Sequence, residues 1–111
     1  MDTTDIGKFK RRGKNSVRLI AIPLAKKGLG DQLLRILVKV IEPTRGEEGN
    51  IAYVLHRSMD NPDELMIDEI WVDNQSLDVH LKQPYIKSAV EQMTPILAKP
   101  VELRRYSEIR E

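Results

Sequence analysis

Two runs and the turn between them decide how this chain folds: Ile51-Ala52-Tyr53-Val54-Leu55-His56-Arg57-Ser58, then Asp60-Asn61-Pro62-Asp63, then Leu65-Met66-Ile67-Asp68-Glu69-Ile70-Trp71. Both runs are rich in branched and aromatic residues. The cluster between them tolerates turn dihedrals through Asn and Asp and fixes φ at Pro62. The stretch therefore reads as a hairpin, with strands over 51–58 and 65–73. Period two sorts the faces: Tyr53, Leu55 and Arg57 point one way and Ala52, Val54 and His56 the other, while Leu65, Ile67, Glu69 and Trp71 share the Tyr53 face.

Toward the amino terminus, residues 17–24 read as another strand with Pro23 near its end, and Lys27-Gly28-Leu29-Gly30 as a turn. From Asp31 to Glu42, Leu33, Leu34, Leu37, Val38 and Ile41 recur at three- and four-residue spacing. That pattern predicts a helix with one buried stripe, stopped by Pro43. Thr44 to Asn50 is a polar loop. Beyond the hairpin, Asn74 is placed to cap a helix carrying Leu77, His80 and Leu81, and Pro84 suits the first turn of another through Ile86, Ala89, Val90 and Met93. Val101 to Tyr106 alternates as a last strand. The order β-α-β-β-α-β predicts a ferredoxin-like α+β fold. Val54 and Ile70 leave the face away from the helices apolar, which predicts a homodimer through the open sheet face.

With 111 residues the chain accommodates one core, so the expected organisation is a tail over 1–16 and one domain over 17–111. The tail holds Lys8, Lys10, Arg11, Arg12 and Lys14 against two acidic residues, giving +3, and the remainder carries 13 basic and 15 acidic residues, giving −2. Such a tail either touches phosphates or is simply solvated. The remainder neither spreads basic residues over a face nor interleaves them with aromatics, so no nucleic-acid partner is expected. No apolar run approaches the roughly 20 residues that cross a bilayer, so no membrane partner is expected either. The start lacks an apolar signal core and the chain has no cysteine, which gives a cytoplasmic expectation and excludes thiolate nucleophiles, iron–sulfur clusters and Cys-type zinc sites.

Glu69 is a carboxylate between Ile67 and Trp71 on the face the helices cover, where a charge needs a partner; Arg57 and Arg45 are candidates. His80 shares the apolar face of its helix with Leu77 and Leu81, either as a satisfied core residue or as a base oriented by Glu69. Tyr53 and Trp71 are core residues that also make a flat slot. His56 falls on the opposite face by parity. Neither histidine has a partner at metal-ligand spacing, and there is no glycine-rich phosphate loop or nucleophile elbow.

The pattern Thr44-Arg45, Glu48-Gly49-Asn50-Ile51, Tyr53-Val54-Leu55, Arg57-Ser58, Asp60-Asn61-Pro62, Glu69-Ile70-Trp71, Leu77, His80-Leu81 and Pro84-Tyr85 resembles the antibiotic biosynthesis monooxygenase family. Its most specific part is Glu-x-Trp followed nine residues on by His-Leu. The resemblance implies a dimeric α+β barrel with a pocket between sheet and helices in each subunit. It also implies oxidation of quinols, anthrones or similar small aromatic substrates by O2, with no metal, flavin or haem. Related members degrade haem or isomerise a phosphorylated sugar. The haem-degrading branch fits less well, because it has Trp at the place of His80, and because Val90 and Ala21 stand where it has its haem-ligand His and a first-strand Asn.

On this resemblance His80 is the base and Glu69 its orienter, Trp71 and Tyr53 are the walls, and Arg57 stabilises an anionic oxygen. Two other readings stay open. One is an isomerase of a phosphorylated keto sugar using Arg45 or Arg57. The other is a non-catalytic small-ligand-binding barrel, which a filled pocket with no room between His80 and Trp71 would favour.

Overall fold

Strand β2 (Asn50–Arg57) pairs antiparallel with β3 (Leu65–Trp71), placing Tyr53 opposite Glu69, Leu55 opposite Ile67 and Arg57 opposite Leu65. The structure is a computed structural model that describes residues 13–109, so most of the basic tail lies outside it. A bulge between Asn50 and Ala52 shifts the register at the start of β2, and the Asn50 side-chain amide donates to the Ala52 carbonyl at 3.0 Å across it. The turn is held by Ser58, whose hydroxyl accepts from the Asp60 and Asn61 amides.

β1 (Val17–Ile22) lies between β3 and the edge strand β4 (Glu102–Ser107), giving the order β2-β3-β1-β4 with every pairing antiparallel. With helices α1 (Gly30–Arg45), α2 (Asn74–Leu81) and α3 (Pro84–Met93) on one face, this is the ferredoxin-like α+β fold expected from the element order. β1 ends two residues earlier than its composition suggested. The Pro23 carbonyl nonetheless accepts from the Leu65 amide at 3.0 Å and prolongs the contact.

Three local readings change. α1 runs through Pro43 to Arg45, because Thr44 is fully buried and the Arg45 guanidinium donates to the Tyr53 carbonyl at 2.8 and 3.0 Å. These tertiary contacts outweigh the one helical hydrogen bond that proline forfeits. The buried stripe of α1 is Leu33, Ile36, Leu37 and Val40, while Val38 is 50% exposed; both stripes fit helical spacing, and the position of the sheet selects between them. The cap of α2 is Asp73, one residue before Asn74. Its extended backbone lets the carboxylate accept from the Ser76 amide at 2.8 Å.

The core has two parts. Leu33, Leu37 and Val40 of α1 pack on Ala21, Tyr53 and Ile67, while Leu77 of α2 packs with Val17, Leu19 and Trp71. Each such fully buried leucine contributes about 1.5–3 kcal/mol. On the far face Val54 is 41% exposed and Ile20, Ala52 and Ile70 are half-buried, flanked by the Arg18–Asp68 ion pair at 2.9 Å. His56 is exposed on that face, as parity required.

The approach of α2 to the loop before β2 requires glycine. A Cβ on Gly49 would stand 2.2 Å from Ser76 Oγ and 2.3 Å from its Cβ. Gly49→Ala is therefore expected to cost about 1–3 kcal/mol, read as a lower denaturation midpoint. An unchanged midpoint would show that α2 can retreat freely.

Candidate functional site

The helices do not fill the space over the sheet. Between β1, α1, α3 and β4 lies a cleft of about 590 Å³, within the range that holds small organic ligands. Its walls are largely apolar, with Leu37, Met93, Leu97, Val101 and Leu103 among them, and its closed end presents Tyr53, Glu69 and His80. Among the described residues, Lys99, toward β4, is the one lysine or arginine that lines it.

His80 is 2% exposed, and its helix aims it at the sheet as the position between Leu77 and Leu81 predicted. Its Nδ1 lies 2.7 Å from Glu47 Oε2, an oxygen that also accepts the Tyr85 hydroxyl. A carboxylate oxygen receiving two donors fixes the tautomer: Nδ1 carries the proton and Nε2 is left with the basic lone pair. Nε2 is 3.7 Å from Glu69 Oε1, too far for a hydrogen bond. Burial holds the imidazole below its ordinary pKa against the raising influence of Glu47, so it is neutral and basic near pH 7.

The expected orienter is thus displaced. Glu69 does not hold His80; its Oε1 accepts the Trp71 indole N–H at 3.0 Å. Neither arginine pairs with it in the manner expected of a buried carboxylate: Arg57 reaches Asp31 at 2.9 Å and Arg45 the Tyr53 carbonyl. Trp71 is also not a slot wall. Its ring sits behind the imidazole with centroids 4.6 Å apart, closing the gap between the two, and it does not line the cleft. Tyr53 meets His80 edge-on at 5.9 Å and does line it. Arg57 is on the predicted face but lies four residues beyond Tyr53, about 13 Å along the strand, and stands outside the cleft.

Glu47 is the site residue that sequence reasoning passed over. A signal existed, since the hairpin register pairs Asn50 with Trp71, so the residues just before β2 must lie beside the helix that follows β3.

Burial pushes the Glu69 carboxyl up to about 7; the Trp71 hydrogen bond opposes this, while Glu47 and Asp68 add to it. Folded Glu69 therefore holds its proton more tightly than unfolded Glu69. Its contribution to stability is fully present below pH 4.5 and is lost as pH rises through 7, on the order of 3 kcal/mol. His80 runs the other way, its contribution being present above 6.5 and lost as pH falls. Glu69→Gln keeps an acceptor for Trp71 and is expected to remove the fall in melting temperature between pH 4.5 and 7; an unchanged slope would assign it elsewhere. Burial, with Glu69 adjacent, also raises the Tyr53 hydroxyl, which stays protonated and available as a donor.

Among the described residues no group of three His, Asp or Glu side chains is arranged to hold a metal ion, and no helix is long and apolar enough to cross a membrane. The chain is similar to solved structures over nearly its whole fold. A conserved protein from Methanosarcina mazei is 27% identical at a TM-score of 0.82, covering 91% of this chain and 98% of that one. Rv0793 from Mycobacterium tuberculosis is 28% identical at 0.81, covering 86% and 97%. The crystal structure of an antibiotic biosynthesis monooxygenase, at 21% identity and 0.80 over 85% and 99%, shares the fold. In sequence, an uncharacterized protein of Synechocystis is 30% identical over 76 residues, 68% of this chain; the chain spans about half, 52%, of that curated relative's length. The profile of antibiotic biosynthesis monooxygenases matches residues 17–92, which take in the first three strands, the closed end of the cleft and the two helices after the hairpin. By that match, the chain belongs to the antibiotic biosynthesis monooxygenase family.

Proposed function

We propose that the chain is a cofactor-independent monooxygenase that oxidises a small quinol- or anthrone-like aromatic with O2. The observation that carries this reading is a single neutral imidazole, its Nδ1 fixed on Glu47, presented with the Tyr53 hydroxyl at the closed end of an apolar cleft. An electron-rich phenol becomes reducing toward O2 once it loses a proton, so binding the ring, excluding water and supplying a base suffice. His80 Nε2 takes the substrate proton, Tyr53 donates to the developing oxyanion, and Glu69 borders the reacting oxygen. The phenolate gives one electron to O2, and the resulting radical pair joins through a C–O bond to a ring-bound peroxide. The O–O bond and the C–H bond of the same ring carbon then break, leaving one oxygen on the ring as a carbonyl while the other leaves as water with the proton from Nε2 and the proton from the ring carbon: quinol + O2 gives hydroxyquinone + H2O.

The keto-sugar phosphate reading loses support because Arg45 and Arg57 are both committed outside the cleft. The ligand-binding reading expected a filled pocket. The gap between His80 and Trp71 is closed, but the open cleft lies on the other side of the imidazole. Oxygen uptake with a panel of hydroquinones and anthrones on metal-stripped protein tests the proposal; no uptake with any of them would reject it.

We also propose that a second copy covers the apolar outer face of the sheet around Val54 and Ile70. Sedimentation equilibrium should return twice the chain mass, and a monomer at micromolar concentration would refute it.

A further inference from the structure

His80 lines the cleft, and its hydrogen-bond partner Glu47 lines a different cavity. This second cavity is about 300 Å³, its lining includes Glu47, Gln75, Ser76 and Gln83, and no residue lines both. His80 Nδ1 meets Glu47 Oε2 at 2.7 Å, and the Glu47 side chain is 12% exposed while that of His80 is 2%. A proton taken up at Nε2 thus has a hydrogen-bonded route toward water that does not recross the cleft, leading from Nδ1 through Glu47 to the second cavity.

We propose that Glu47 is a proton relay, holding the His80 Nδ1 proton outside the cleft while substrate is oxidised and returning it when water forms. The direction of flow rests on the oxygenase reading. As the substrate O–H breaks, Nε2–H forms; as Nδ1–H breaks, the Glu47 Oε2–H bond forms, and His80 stays uncharged in its apolar surroundings. The phenolate electrons pass to O2. When the ring peroxide collapses, the departing oxygen takes the Nε2 proton and the proton of the ring C–H bond that breaks with it, and Nδ1 recovers its own from Glu47. Atoms and electrons close on quinol + O2 with no further reductant. The titratable groups facing Glu47 are His80 from α2, Tyr85 from α3, Tyr53 from β2 and Glu69 from β3, with Glu48 beside it. The Tyr85 hydroxyl, pushed up to about 12 by burial and by Glu47, keeps its proton and serves as an anchor.

The test uses the full chain, 1,4-naphthohydroquinone, and the variants Glu47→Gln and Glu47→Ala. Glutamine keeps a carbonyl for His80 and Tyr85 but cannot carry the proton. In Glu47→Gln, kcat is expected to fall about 10²-fold, with KM within about twofold of wild type. Formate, small enough for the second cavity, is expected to restore the rate of Glu47→Ala about tenfold while leaving wild type unchanged. A merely orienting role predicts the reverse, with Glu47→Gln near wild type and Glu47→Ala unmoved by formate, and that result overturns the relay. A second arm needs no turnover. In 15N-histidine NMR of the ligand-free protein, exchange of the His80 Nδ1 proton with water should slow about tenfold or more in Glu47→Gln, and unchanged exchange overturns the relay. If wild type consumes no O2 with any quinol, the oxygenase reading falls and the exchange arm still decides the relay.

Discussion

Replacing His80 by alanine is expected to lower kcat for quinol oxidation about 10²- to 10⁴-fold, the range a positioned general base supplies. The reason is geometric. Nε2 is the basic nitrogen at the closed end of the cleft, whereas the Tyr53 hydroxyl is held protonated by burial and Glu69 is occupied by Trp71. Glu69, 3.7 Å from Nε2, is the acceptor left at that end, but burial holds its carboxyl toward the neutral form. KM should change far less than kcat, because most of the wall is apolar and comes from other elements. The wild-type rate should persist at mildly acidic pH, since burial shifts loss of the neutral imidazole below 6.5. Oxygen-electrode rates across pH 5–8 for both proteins, with circular dichroism to confirm folding, decide the matter; uptake unchanged in His80→Ala would remove the residue from the mechanism.

Trp71→Ala is expected to have the largest effect on stability, about 3–5 kcal/mol out of a total that for such a domain is only about 5–15. Trp71 is fully buried, backs His80 at 4.6 Å and donates to Glu69. The truncation therefore opens a cavity and strips a buried carboxyl of its donor at the same time. Trp71→Phe retains most of the volume but not the N–H and should cost about 1–3 kcal/mol, isolating the second effect. Urea denaturation read by circular dichroism gives both values. Equal losses in the two variants would show that the hydrogen bond, rather than the ring, carries the stabilisation.

The strands and helices were legible because their periods are unambiguous. The hairpin alternates over two full runs, and Pro84 opens a helix where it costs nothing. Pro43 misled because a propensity is local, while Thr44 burial and the Arg45 contact to Tyr53 are not. In the site, parity placed Tyr53, Glu69 and Trp71 on the correct face, but it gives no distance along a strand, and so it included Arg57. Pairing Glu69 with His80 came from sequence patterns that cannot see Glu47, a loop carboxylate that reaches the helix only after β2 and β3 register.

The cleft draws its closed end and its side toward β4 from different parts of the chain. His80, Tyr53 and Glu69 come from α2, β2 and β3, with Glu47 behind His80 in the loop before β2, whereas Met93, Leu97, Val101 and Leu103 line the side toward β4. Leu103 is 56% exposed on an edge strand, so substitutions there disturb little of the core. Such a layout lets selection reshape the side toward β4 while leaving the closed end intact. Laboratory evolution of substrate range should accordingly accumulate changes from residue 93 onward and spare residues 47–80.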